Sequence, residues 1–570
     1  MSRTRARLAA MIALSTWPVM AAAQSATQPP LKLAPKPTSP AISSGDLMTR
    51  LYIFADDSMM GREVGTEYHL KATDYIAREL RRIGLQPGGD SGTFFQNIPV
   101  RAHPLAQDNT ITVDDKTFRG RTDYMPRDNS VFGAPVKPFD GAEVIYGGTF
   151  NPADPSGLIS QADARGKFVV VTVPKGPDGK PMWTNTRLPL TRYFVQSAGV
   201  AVVGYELIDE PTRAASFNDI NLSLKQEDAG GPPRIPTFMY VTTQMADALM
   251  GAPISGLSKG AAGKTIHGTL KWDDVQAPGR NVVAILPGSD PKLKGEYVAI
   301  GAHNDHVGFN HDPVDHDSLR AYNTVVRPKG ADDEARPATD QEMSKIRQII
   351  DSLRKINPPR KDSIFNGADD DGSGSMAVLE MAEYFARSPN KPKRSLVFVW
   401  HAGEEKGLWG SEYFTDHPTV PRDSIVAQLN MDMVGRGTAN DEKDGGPGYI
   451  QLIGSKRLST ELGNIVDETG KAQATPMKID YAYDANGHPQ QYYCRSDHYE
   501  YARYGIPIAF FSTGGHRDYH QQTDEPQYID YDQLARVTNF VRDVATKVAN
   551  LDHRVVVDKP KPNPKGQCVQ

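Results

Sequence analysis

The chain has 570 residues, 64 Lys plus Arg against 69 Asp plus Glu, a formal net charge of −5, and 39% hydrophobic residues. That near-neutral balance argues against a nucleic-acid binder, and the composition is that of a folded chain rather than a disordered one. Two cysteines, Cys494 and Cys568, are too few for a disulfide framework or a thiolate zinc cluster, so any metal must be held by nitrogen and oxygen.

In chain order, Arg3, Arg5 and Arg7 precede an apolar run from Leu8 to Ala23 that ends in Ala21-Ala22-Ala23. This is the charged, apolar and small-residue succession of a secretory signal (1–23), with cleavage expected after Ala23. The run holds Ser15, Thr16 and Pro18 and is shorter than the ~20 residues a membrane span needs. No later stretch is long and apolar enough to span, so the mature chain is expected in the periplasm or secreted, without an integral membrane segment. Residues 24–44, with Pro29, Pro30, Pro35, Pro37 and Pro40, read as an extended linker, and residues 553–570 as a flexible tail.

From Thr66 to Gly84, Leu70, Tyr75, Ile76, Leu80 and Ile83 recur at helical spacing, and Gly84 stops the helix. The short apolar runs Asn281–Leu286, Tyr297–Gly301, Leu396–Trp400, Val426–Met431 and Pro507–Phe511 predict strands, and Ser375–Arg387 and Tyr531–Leu551 predict helices. Strands alternating with helices imply an α/β three-layer sandwich around a mixed, mainly parallel sheet, built from 45–126 and 275–552. Between them, 127–274 breaks into short β-like pieces such as Lys167–Val173 and Val200–Tyr205, separated by Pro and Gly, and reads as an inserted β-rich domain. A second insertion, 310–363, is polar and holds one helix-like stretch, Gln341–Lys355, ended by Pro358-Pro359.

Ionisable groups gather where the apolar strands stop. Tyr297–Gly301 runs into His303 and Asp305, Leu396–Trp400 into Glu404-Glu405, and Val426–Met431 into Asp432. Ligands bind beyond the carboxyl ends of strands in open α/β sheets, so these groups share one rim, joined by Asp369-Asp370-Asp371 at a helix start and by His520 after the last strand. Two imidazoles and three carboxylates suit a pair of divalent cations, Zn²⁺ first, with Mn²⁺ or Co²⁺ as substitutes. Three carboxylates and two dications reach neutrality with one bridging hydroxide, which is hydrolytic chemistry.

The runs Gly301-Ala302-His303-Asn304-Asp305-His306, Asn366 to Gly374, Glu404 to Ser411 and Asn430-Met431-Asp432 resemble the co-catalytic di-zinc exopeptidases, the group of bacterial leucyl aminopeptidases, glutamate carboxypeptidase and the transferrin-receptor-like proteins. The resemblance implies His303 and Asp432 on one zinc, Glu405 and His520 on the other, and Asp370 bridging. It further implies Glu404 as the base that takes a proton from the metal-bridging water and hands it to the departing amine, and Asp305 as the group that orients the His303 ring. Tyr493 is implied as a stabiliser of the oxyanion, Arg495 and Asp497 as substrate contacts, and His306 and His401 are assigned no ligand role. The first insertion resembles a protease-associated domain.

Two other motifs compete. Gly89-Asp90-Ser91-Gly92 mimics a serine-nucleophile run but reads as a turn. Asp369-x-Asp371-x-Ser373 followed by Glu380 fits calcium-loop spacing, yet Pro358-Pro359 and Asn366-Gly367 break the helix such a loop needs before it. The resulting expectation is an exported zinc aminopeptidase acting on peptide substrates. The alternatives are a carboxypeptidase or dipeptidase of the same fold, and a non-catalytic receptor-like protein; oligomeric state is not legible.

Overall fold

The computed structural model describes residues 29–127, 136–151, 154–175, 187–208, 221–224, 235–356 and 358–570. The expected signal segment and its cleavage point lie outside the described residues.

Four parallel strands form the middle of a nine-stranded mixed sheet, in the order Ser395–His401, Tyr297–His303, Ile425–Met431, Ile508–Ser512. Arg280–Leu286 is added antiparallel on one side and Tyr449–Ile453 antiparallel on the other. The middle strands are apolar on both faces because both are covered, as expected of parallel sheets. Val298, Ile300, Phe398 and Leu429 point to one layer, formed by helices Ser44–Phe54, Glu67–Ile83, Gly374–Arg387 and Tyr531–Asn550. Ala299, Val397 and Val399 point to the other, with Phe414 and Tyr501 of the short helices Trp409–Asp416 and His498–Ala502. This is the predicted three-layer α/β sandwich.

Helix Glu67–Ile83 starts where Thr66 caps the N–H of His69 and stops at Gly84, whose φ of +84° suits glycine. Helix Ser44–Phe54 buries Leu47 and Leu51 in the core and packs against helices Gly374–Arg387 and Tyr531–Asn550. Its Arg50 is buried, with Nε 2.6 Å from Glu380 and Nη1 3.1 Å from Glu79, and it also contacts Glu383. The glutamate of the calcium-loop spacing is thus committed to an ion pair. The Gly89–Gly92 run is an exposed turn, with Asp90 accepting from the Asn97 N–H.

The β-rich insertion begins earlier than expected. Its eight-stranded sheet includes Thr110–Val113, Lys116–Arg119 and Tyr124–Arg127, so the module starts before residue 110 rather than at 127. Thr110–Val113 is held by pairing with Ala262–Gly268, about 150 residues away, which no local pattern announces. The chain leaves and re-enters the sandwich through Val100–His103 and Val275–Gln276, paired antiparallel. The second insertion is a two-stranded ribbon, Phe309–Asp315 with Lys361–Ile364, carrying helices His316–Val326 and Asp340–Leu353.

Both ends of the described chain are tied down, unlike a free linker and tail. In 29–44, Leu33 and Ile42 pack on the core, and Lys32 lies 3.1 Å from Asp56. In 553–570 a disulfide joins Cys568 to Cys494, and Gln570 Nε2 donates to the Tyr483 carbonyl at 2.6 Å. Both stretches lack regular structure, as their proline content implies, but side-chain and covalent contacts fix their course.

Arg50→Met would strand the Glu380 and Glu383 carboxylates in the core and is expected to cost about 3–5 kcal/mol in urea unfolding. A loss under about 1 kcal/mol would show that neither carboxylate depends on the guanidinium.

Candidate metal centre

The ends of the parallel strands bring the rim together. His303 is the last residue of its strand, Glu404 and Glu405 form the turn after His401, and Asp432 follows Met431. Asp370 lies in the tight turn Ala368–Ser373 that opens helix Gly374–Arg387, and its peptide bond to Asp371 is cis. His520 lies in irregular chain well past Ser512.

His303 Nε2 is 3.1 Å from Asp370 Oδ1 and 3.7 Å from Asp432 Oδ1. His520 Nε2 is 2.9 Å from Asp370 Oδ2 and 2.9 Å from Glu405 Oε2. The five residues therefore form two half-cages sharing Asp370. His303 Nε2, Asp370 Oδ2 and Asp432 Oδ1 are buried and have no hydrogen-bond partner, so donor atoms converge on a common space with nothing to satisfy them. Buried polar atoms are left this way when an ion belongs between them, and an imidazole and carboxylate donor set fits divalent zinc or a similar cation. Burial alone would raise the Asp370 carboxyl, yet the His303 and His520 rings hold it well below the usual carboxylate range. Burial and the Asp432, Glu405 and Asp497 carboxylates push Glu404 well above its ordinary value, against the effect of His303.

The cage is braced from outside. Asp371 also lies close to His303 and Asp432, but its oxygens accept from the N–H groups of His303, Gly374 and Met433, so it fixes three pieces of backbone. Asp524 accepts from the N–H groups of Asp369 and Asp370 at 3.0–3.1 Å. Arg62, fully buried, donates to the carbonyls of Asn366 and Gly367 behind the same turn. Ser496 donates to Asp432 Oδ2 at 2.8 Å. His306 Nδ1 lies 2.7 Å from Glu405 Oε1, which turns Oε2 toward His520. Asp305 reaches His303 Nδ1 through its main-chain oxygen at 3.1 Å, while its carboxylate is 3.7 Å away and accepts from the Glu404 N–H.

The cage opens on a cavity lined by Glu404, Asp332, Tyr492, Arg495, Tyr519 and Phe510, among others. No described residue of the β-rich module lines it. Arg495 does face the cavity, paired with Asp332 at 3.1 Å and donating to the Tyr519 hydroxyl at 3.1 Å. Two expected residues do not. Tyr493 is buried beneath it, with the Arg457 guanidinium 4.5 Å from its ring and Tyr499 against its edge. Its neighbour Tyr492 takes the cavity wall because a single helical turn, Tyr492–Cys494, sends adjacent side chains opposite ways. Asp497 is buried 3.4 Å from His401 Nδ1 and does not line the cavity. Tyr519, Asp332 and Ser496 escaped the sequence reading. Tyr519 adjoins His520 in sequence, its ring 4.1 Å from the imidazole, whereas Asp332 carries no local signal.

The model of "Peptidase family M28" matches residues 350–545. Leupeptin-inactivating enzyme 1 of Streptomyces exfoliatus is 31% identical over 156 residues, 27% of this chain and 31% of that one. Leucine aminopeptidase 1 of Ajellomyces capsulatus is 28% identical over 197 residues, 33% of this chain and 48% of that one. The chain thus spans less than half the length of these curated relatives. A zinc aminopeptidase from Bacillus subtilis superimposes with a TM-score of 0.46 at 15% identity, over 90% of this chain and 96% of that one. Residues 350–545, which the model of peptidase family M28 matches, include Asp370, Glu404, Glu405, Asp432 and His520.

Proposed function

We propose that the protein is an exported, zinc-dependent aminopeptidase that removes N-terminal residues from peptides. The observation that carries this is the pair of half-cages sharing Asp370, with Glu404 on the wall of the cavity they open into. Two divalent cations held there would polarise the scissile carbonyl and acidify the attacking water. His303 and Asp432 would hold one and Glu405 and His520 the other, with Asp370 within reach of both. Glu404 takes the water's proton and returns it to the leaving amine. The Tyr519 hydroxyl accepts from Arg495, which leaves its own proton for the carbonyl oxygen as negative charge develops there.

One observation favours the carboxypeptidase or dipeptidase alternative: Arg495 on the cavity wall would suit a substrate carboxylate. Asp332 already neutralises it at 3.1 Å, and the relatives' names include leucine aminopeptidase, so the aminopeptidase reading is preferred. Export is supported by the signal-like run Leu8–Ala23 and by the Cys494–Cys568 disulfide, a bond that persists in oxidising compartments.

In an amino-acid p-nitroanilide assay, Glu404→Gln should keep its metal by elemental analysis while kcat falls by about 10²–10⁴. Tyr519→Phe should lower kcat by about 10²–10³, and Tyr493→Phe should leave it within about twofold. Undiminished turnover in Glu404→Gln removes the residue from the base role. Free-amino p-nitroanilides should be cleaved and N-blocked dipeptides spared; the reverse selectivity overturns the aminopeptidase reading. Sequencing of protein from the periplasm or medium should begin at Gln24, and a cytosolic product retaining Met1 would count against export.

A further inference from the structure

The second insertion, Phe309–Ile364, contributes no residue to the cage, yet it grips the segment that carries His520 from end to end. Arg320 Nη1 lies 3.2 and 3.1 Å from the two carboxylate oxygens of Asp518. Lys329 Nζ donates to the Gly515 carbonyl at 3.0 Å, and the Ala331 N–H to the Tyr519 carbonyl at 3.0 Å. Asn323 Nδ2 donates to Gln521 at 3.2 Å, and His316 Nε2 lies 2.8 Å from Glu525. The approach leaves no slack: a side-chain carbon at Gly330 would sit 2.5 Å from the Tyr519 carbonyl oxygen.

The opposite side of the same segment braces the cage, through Asp524 on the Asp369 and Asp370 N–H groups and His516 Nε2 3.1 Å from Asp369. Segment 515–525 is thus clamped between the insertion and the turn of the bridging carboxylate. His520 itself has φ +52°, a left-handed conformation that a non-glycine residue keeps when its surroundings impose it. His303 and Asp432 are held by a sheet; His520 has no such support.

We propose that the insertion is the outer half of the metal centre. It holds Tyr519 and His520 at the cage, with Arg320 acting through Asp518 as a positioning residue, and the His520-side cation binds tightly only while that grip is made. The inference rests on the two-cation reading of the cage, but its test does not depend on peptidase activity. Asp518 is buried and also paired with Arg436 at 3.0 Å, so loss of Arg320 does not leave it without a counter-charge.

Full-length protein stripped with chelator would be titrated with Zn²⁺ in a calorimeter. Wild type is expected to bind two ions. Arg320→Met should keep one at wild-type affinity and weaken the other by about 10- to 100-fold, with Arg320→Lys intermediate. Arg354→Met, which breaks only an exposed insertion pair with Asp315, should bind as wild type does. Should Arg320→Met fail to fold, Lys329→Met, which cuts the grip at Gly515, is expected to weaken the same site. Two ions at unchanged affinity in Arg320→Met, or equal weakening in Arg320→Met and Arg354→Met, overturns the clamp while leaving the proposed function standing. A wild-type protein that binds no ion removes both.

Discussion

The constraint on which the rest depends is electrostatic. Asp370, Glu405 and Asp432 meet beside Glu404 at the end of a buried sheet, where like charges a few ångströms apart repel by several kcal/mol in a medium less polar than water. Such a cluster persists only if positive charge is supplied at its centre and the surrounding dipoles are aimed inward. The imidazoles of His303 and His520 stand 3.1 and 2.9 Å from Asp370, where their nitrogens would share a cation with the carboxylates. Behind them, backbone N–H groups donate to Asp371 and Asp524, and the Arg62 guanidinium lies buried against the aspartate turn. Much of the polar structure around the sheet serves to keep these acids in one place.

The fold makes that concentration possible because parallel strands all end at the same edge. Four neighbouring strands deliver, in space, the Glu404-Glu405 turn, His303, Asp432 and the chain leading to His520. Each strand end is rigid because both faces of the sheet are packed, so the donor atoms hold their spacing without a cross-link nearby. His520 alone of the five cage residues comes from the long irregular stretch past the last strand, and it is the one that a separate element covers.

Much of this was legible along the chain. Strands were visible as short apolar runs because burial on both faces removes polar residues, and the cage residues stood out because ionisable groups seldom follow such runs. His303, Asp370, Glu405, Asp432 and His520 all reach the site. Tyr493, Asp497 and the boundary at 127 show where the reading stops. Whether Tyr492 or Tyr493 faces the cavity turns on the direction of one helical turn and on Arg457 stacking, not on any spacing. Asp497 looks like a substrate contact in sequence, but the fold buries it against His401, away from the cavity lining.

What the sequence by itself determined is the class of fold, the order of its strands and helices, and the identity of the groups that meet at the rim, because periodicity and residue chemistry are local properties. Tertiary structure alone decided which hydroxyl and which carboxylate face the cavity, how Cys494 finds Cys568, and that Arg320 and Lys329 of a polar insertion brace the segment holding His520. Those outcomes depend on contacts between residues from about 75 to nearly 200 positions apart, whose geometry is set by packing of the whole sandwich and leaves no periodic trace in the chain.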